Sequence, residues 1–468
     1  FPPTSDKGSN LGPTSFAVAG QVDTERPQCP RTKGHRTPTM NIPLSRNLVR
    51  LLTLVPALCC IELRAIDAGP IVVHGSISAT ASYSDTYNYL GDTRDALSLN
   101  LVDVVLNGTH RFDNGLRAGA QLYGYTIGDY SDITLDWASL DYSFNESFGV
   151  RLGRNKIPLG LYNDSQDLDA IRTFASLPFP LYPKPYRAVT ASMDGLSLYG
   201  HVGLGRSGSL DYQIYGGWKE SIDGDNPFIG GINNLASYNE CEFKRGVFGG
   251  SLFWNTPFDG LRIGYSYLEN PKNVLDGVVN EMEFMRGSYL ALARQVDGAF
   301  GTGTWDNSGL FAGTSIHSHA KARLHAFSAE YTHDKWLLAA EYKRRDEIDG
   351  VITVPAIGVL GLPTTNTFAY HYEQYYGMVT YQATDQIGCG VYYAYENTAR
   401  GSSSSDPLTT SKDWAAAISY APNEYWIFKV EGHLVDGRSL VYSAGDDNRT
   451  SGTDRTWTYL VLKTTFSF

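Results

Sequence analysis

Between positions 159 and 192 three aspartates, Asp164, Asp167 and Asp169, precede three cations, Arg172, Lys184 and Arg187, in a segment that also holds Pro178, Pro180, Pro183 and Pro185. Charges of both signs in one short connection can set a field across a narrow passage, or can simply solvate a surface loop. A second set is basic. Arg111, Arg117, Arg151, Arg154 and Lys156 sit in strand-like segments just ahead of that connection. A third set alternates with apolar residues. Glu341 and Lys343 interleave with Leu338, Ala340 and Tyr342, Lys429 and Glu431 with Trp426, Phe428 and Val430, and Lys463 with Leu460 and Leu462. Covalent chemistry has little support, because no nucleophile motif accompanies His74, His201, His325, His371 or His433. His317 and His319 could ligate a metal, but in a long loop with no third ligand nearby. Neither a cofactor nor a metal is therefore expected.

Side chains of a strand point alternately to its two faces. The third set thus places its charges on one face and its apolar residues on the other. A charge facing lipid at mid-membrane costs about 2–4 kcal/mol, so such charges must face inward, and a watered lumen is expected. The last thirteen residues, 456–468, follow the same rule: Leu460, Leu462 and Phe466 share one face, and Trp457, Tyr459, Val461 and Lys463 the other. The pattern recurs along the chain. Tight turns at 113–115, 145–147, 205–208, 256–260, 334–335, 384–386 and 422–424 alternate with longer connections at 159–192, 220–243, 270–321, 346–369, 397–410 and 436–455. One further connection, 128–132, is short. Sixteen strands result. The fold expected is all-β: a sixteen-stranded antiparallel transmembrane β-barrel with short periplasmic turns and long extracellular loops. A sandwich has no cause to alternate its turns in this way, and no blade repeat of a propeller is present. Trp336, Tyr425, Trp426 and Trp457, near strand ends, are expected in aromatic girdles.

Composition agrees. Aromatic residues make up 13% of the chain, 31 of them Tyr, and charged residues only 19%. A net charge of −11 argues against a nucleic-acid partner. Residues 1–39 are rich in Pro, Gly, Thr and charge, and read as a disordered or artefactual extension. Residues 40–68 read as a secretory signal peptide: Arg46 and Arg50 are basic, residues 51–61 are apolar, and Ala68 is a cleavage position. Residues 69–468 are then the barrel. Cys241 and Cys389 are expected at opposite rims and unpaired.

The chain resembles the Gram-negative outer-membrane porins in two places. It ends on a strand with Phe466 and Phe468, and residues 152–162 (Leu-Gly-Arg-Asn-Lys-Ile-Pro-Leu-Gly-Leu-Tyr) resemble a segment of marine and proteobacterial porins. The enteric Pro-Glu-Phe-Gly-Gly motif is absent. The resemblance implies an outer-membrane channel for passive diffusion of small hydrophilic solutes and ions, surrounded by lipid and lipopolysaccharide. It implies a homotrimer, and recognition of Phe466 and Phe468 by the barrel-assembly machinery. It also implies that the 159–192 connection enters the lumen, where Asp164, Asp167 and Asp169 would face the basic cluster Arg111, Arg117, Arg151, Arg154 and Lys156. Two other readings remain open. One is an anion- or phosphate-preferring porin, motivated by that cluster. The other is an occluded barrel acting as adhesin or enzyme, motivated by the long 270–321 span.

Overall fold

The computed structural model describes residues 66–67, 71–232, 236–279, 315–353, 365–398, 407, 409–442 and 454–468. Sixteen strands form a closed antiparallel barrel. They are β1 Val72–Ser84, β2 Ser98–Arg111, β3 Leu116–Ile127, β4 Tyr130–Asn145, β5 Phe148–Lys156, β6 Ser192–Gly203, β7 Ser209–Trp218 and β8 Val247–Asn255. There follow β9 Leu261–Val279, β10 Ser315–His333, β11 Trp336–Thr353, β12 Thr365–Gln382, β13 Ile387–Asn397, β14 Thr410–Tyr420, β15 Trp426–Gly437 and β16 Thr456–Ser467. Each strand pairs with the next, and β16 pairs back onto β1 from Tyr459↔Ser84 to Ser467↔Ser76, so no edge is left unpaired. Phe468 completes the seam, its N–H and C=O both bonded to Gly75.

The outer face follows the two-residue period. Leu122, Leu140, Leu152, Leu338, Val391, Ile418 and Val430 are all exposed, the pattern of a lipid-facing surface. Aromatic residues gather into a register row, Tyr265↔Phe327↔Tyr342↔Tyr375↔Tyr395, and Trp336 packs on Tyr381 nearer the tight turns. Trp457 does not belong to a girdle. It is 1% exposed and packs inside on Tyr87 and Tyr89, because its position shares the inward parity of Tyr459 and Val461.

The walls differ in height. β5, β7 and β8 have 9, 10 and 9 residues, whereas β9 to β12 have 18 or 19. Both ends of the expected 270–321 connection are strand: β9 runs on to Val279 and β10 begins at Ser315. Residues 280–314 lie outside the described residues, as do the expected extension and all of the expected signal peptide except Ile66–Asp67, which pairs with Val72 and Val73. His317 and His319 consequently lie on β10 rather than in a loop, and His317 pairs with Asp276. The 220–243 connection also holds structure. A helical turn, Pro227–Ile232, precedes a strand, Ala236–Phe243, that pairs with the upper part of β9. Cys241, buried in that strand, and Cys389 on β13 are free thiols.

Candidate functional site: the segment inside the barrel

The chain leaves β5 at Lys156 and rejoins the wall at Ser192. Its root is closed by Ile157 N–H donating to the Ala191 carbonyl, and by Asn163 Nδ2 donating to the carbonyls of Ile157 and Thr190. Lys156 bonds Asp167 at 2.5 Å and lies 3.3 Å from Asp136, and Arg187 bonds Asp136 at 2.5 Å. Asp136 faces inward because β4 carries a bulge here: Trp137 pairs with Gln121 and Leu135 with Leu122, so residue 136 is the extra one. Lys184 pairs with Asp103 of β2 and lies over the ring of Tyr123 of β3.

From the root the segment crosses to the opposite wall. Gly160 has φ +73°, and a Cβ there would lie 2.5 Å from Glu341 Oε1, so this step needs glycine. Glu341, inward on β11, accepts from Leu161 N–H at 2.7 Å, Ser328 at 2.7 Å, Tyr376 at 3.0 Å, and Tyr182. Lys343 donates to the Leu181 carbonyl. At the far point Asp169 is bound by Lys463 at 2.8 Å, Lys429 at 2.9 Å and Thr465 at 2.6 Å. Six and seven residues on, Glu431 accepts from Ala175 N–H and Ser176 Oγ, both at 2.6 Å, and from His433, whose other ring nitrogen meets Asp413. Phe174, Leu181 and Tyr182 pack against Met378, Tyr376 and Tyr392 of the wall.

The electrostatics of these carboxyls follow from their neighbours. Burial alone would raise the Asp167 carboxyl, but Arg187 and Lys156 override it and hold it at about 2. Burial likewise opposes ionisation of Asp169, and Lys463, Lys429 and Arg172 outweigh it, so this carboxyl lies well below the usual range. Asp164 lacks comparable partners, and burial pushes it up.

The sequence expectations sort by location. Asp167, Lys156, Lys184 and Arg187 meet at the root, and Asp169 and Arg172 at the far wall with Lys429 and Lys463. Asp164 presents only its backbone carbonyl to Lys156. The pairing of loop acids with one basic cluster is therefore corrected: Asp169 is neutralised by β15 and β16, not by Arg111, Arg117 or Arg151. Arg154 is also not part of that cluster. It has the parity of outward Leu152, and bonds Asp194 at 2.7 Å and Glu220 at 2.8 Å. The inference from inward charge to water is corrected as well. Glu341, Lys343, Lys429 and Glu431 are all buried, Glu431 completely, because the segment covers them.

Arg111, Arg117 and Arg151 form a separate group at the tight-turn end. Register sets Arg111 beside Arg117, Arg117 beside Asp141, and Asp141 beside Arg151 in one lateral row. Arg151 bonds Asp141 at 2.9 Å, Tyr199 donates to the same carboxylate, and Arg111 and Arg117 are exposed. Asp136, Asp141 and Asp413 are functional-site residues that sequence reasoning misses. The break in alternation between Leu135 and Ala138 is the signal that could have exposed Asp136.

No family model matches the chain, and no curated protein matches it in sequence. Solved structures do match. The outer-membrane expressed OmpT of Vibrio cholerae is similar at 10% identity and TM-score 0.52, covering 86% of this chain and 100% of that one. The in-vitro folded form of the same outer-membrane protein gives 10% identity, TM-score 0.51, and coverage of 87% and 100%. The anion-selective porin from Comamonas acidovorans gives 11% identity, TM-score 0.48, and coverage of 85% and 99%. At such identities the likeness is one of architecture. With the closed sixteen-stranded wall and its outward apolar surface, the likeness to the Vibrio cholerae outer-membrane protein establishes a shared fold, the closed antiparallel β-barrel of an outer-membrane protein.

Proposed function

We propose that this protein is a diffusion channel of the Gram-negative outer membrane, passing small hydrophilic solutes and ions, with the 157–191 segment as its constriction. The tight turns would face the periplasm and the tall β9–β12 wall the exterior. The observation that carries the reading is the divided interior. The segment is clamped across the barrel from β5 to β16, while the inward guanidiniums of Arg111 and Arg117 stay exposed. These guanidiniums stand at the tight-turn end, so the barrel mouth beside the clamped segment is open to water. The channel performs no covalent reaction and needs no cofactor. Lipopolysaccharide, the assembly machinery acting on Phe466 and Phe468, and two further copies of the chain are its expected partners. The test is bilayer conductance of the refolded, heat-modifiable barrel. Steady unitary steps are expected, and a folded barrel without conductance would overturn the reading.

Anion or phosphate preference is favoured by one feature, the row Arg111, Arg117 and Arg151 with a single carboxylate, Asp141. Reversal potential in a salt gradient decides it. An occluded adhesin or enzyme is favoured by the apolar packing of Phe174, Leu181 and Tyr182 against the wall. Folded but non-conducting protein would support that reading.

A further inference from the structure

Where the segment comes nearest the 334–335 turn, it leaves a cavity of about 260 Å³ against the inner face of β10 to β12. Its lining is largely apolar: Phe174 and Leu177 from the segment, Leu337 and Met378 from the wall. Ile171 borders the same space and is 67% exposed. An isoleucine on a pliable loop would fold away from water. This one cannot, because it closes the turn Asp169–Ile171, and Asp169 is clamped by Lys429, Lys463 and Thr465. The result is a fixed apolar surface left wet, the preorganised condition under which an apolar guest gains most.

The charged groups around the cavity favour a guest of one sign. Arg172 and Lys335 border it against one carboxylate, Asp334, which is 3.5 Å from His333 and largely solvated. Arg172 is held by the carbonyls of Ser165 and Gln166 and lies 3.6 Å from Asp169, whose carboxylate it shares with Lys429 and Lys463, so three cations at this point outnumber one carboxylate. Among the described residues the Lys335 ammonium makes one hydrogen bond, to the Ala383 carbonyl, and an ammonium has three donors. We propose that this cavity binds a small organic acid with an apolar body, an aromatic or short branched-chain monocarboxylate, with the body against Ile171, Leu337 and Met378 and the carboxylate toward Lys335. The proposal deepens the channel reading by naming a solute class, and it rests on that reading for access to the cavity.

The experiment is a fluorine NMR titration of the refolded barrel with fluorobenzoate, with fluorobenzyl alcohol and fluorolactate as comparison probes. Saturable fluorobenzoate binding is expected, with fluorolactate about ten-fold weaker. Ile171→Asn, at an exposed position that leaves folding intact, weakens fluorobenzoate about five-fold. Lys335→Gln weakens fluorobenzoate but not the alcohol. Equal binding of fluorobenzoate and fluorolactate, an unaffected Ile171→Asn variant, or no saturable binding by a folded barrel would overturn the proposal. The titration needs no ionic current. A barrel that binds without conducting sinks the channel reading alone, and one that conducts without binding sinks this site alone.

Discussion

Two regions of the inner wall carry charges at the same alternating positions and use them in opposite ways. On β11, β15 and β16, the side chains of Glu341, Lys429, Glu431 and Lys463 end against the backbone and aspartates of the 157–191 segment, which covers them. At the tight-turn end of β2, β3 and β5, Arg111 and Arg117 reach solvent, and Arg151 meets only wall groups. The difference lies in what faces each group. An inward charge is a clamp where the chain returns to cover it, and a pore lining where nothing does.

The largest effect should come from breaking the covered side. Glu431→Ala strands two buried N–H groups, the Ser176 hydroxyl and His433, and removing one partner from such a buried set costs about 3–5 kcal/mol. The expected outcome is a marked fall in the heat-modification temperature in detergent, with noisier current as the segment loosens. A charge on the outer face gives the next largest effect. Val391→Arg should cost about 2–4 kcal/mol in denaturant unfolding from liposomes and leave unitary conductance unchanged.

Acid tests the root more gently. Asp167 is held at about 2, below its unfolded value of about 3.9, so its contribution is complete above about pH 4 and is lost as pH falls toward 2. Conductance should be level from pH 7 to 4 and change only below that. A step between pH 6 and 5 would mean that another group governs the segment. The smallest stability effect belongs to the wet side. Arg117→Glu should change unfolding by less than about 0.5 kcal/mol while shifting the reversal potential toward cations. If it destabilised the barrel as Glu431→Ala does, the two regions would not differ.

The wall was legible in the sequence because it depends on local features. Period two, tight turns such as 334–335, and lipid-facing runs such as Leu338, Ala340 and Tyr342 all act within a few residues. Glu341 and Lys429 were readable as inward for the same reason. Their partners were not, since Glu341 meets Leu161 across 180 residues and Lys429 meets Asp169 across 260, and no local pattern encodes such a closure. Trp457 was misplaced in a girdle by the same gap: its parity said inward, but the tyrosines covering it, Tyr87 and Tyr89, lie in a distant connection. Strand length in β9 and β10 was underestimated because charged Glu269 takes the outer-face position after Tyr265 and Tyr267, and a register shift between Asn270 and Asn273 then breaks the alternation.

The central claim is that residues 157–191 lie across the lumen and limit flow through it. Single-channel conductance of the intact barrel, compared with a variant in which residues 163–186 are replaced by a short Gly-Ser link, tests it most directly. Both proteins would first be shown to be folded by heat modification. A several-fold larger unitary conductance is expected in the shortened protein. Equal conductance from two folded barrels would contradict it.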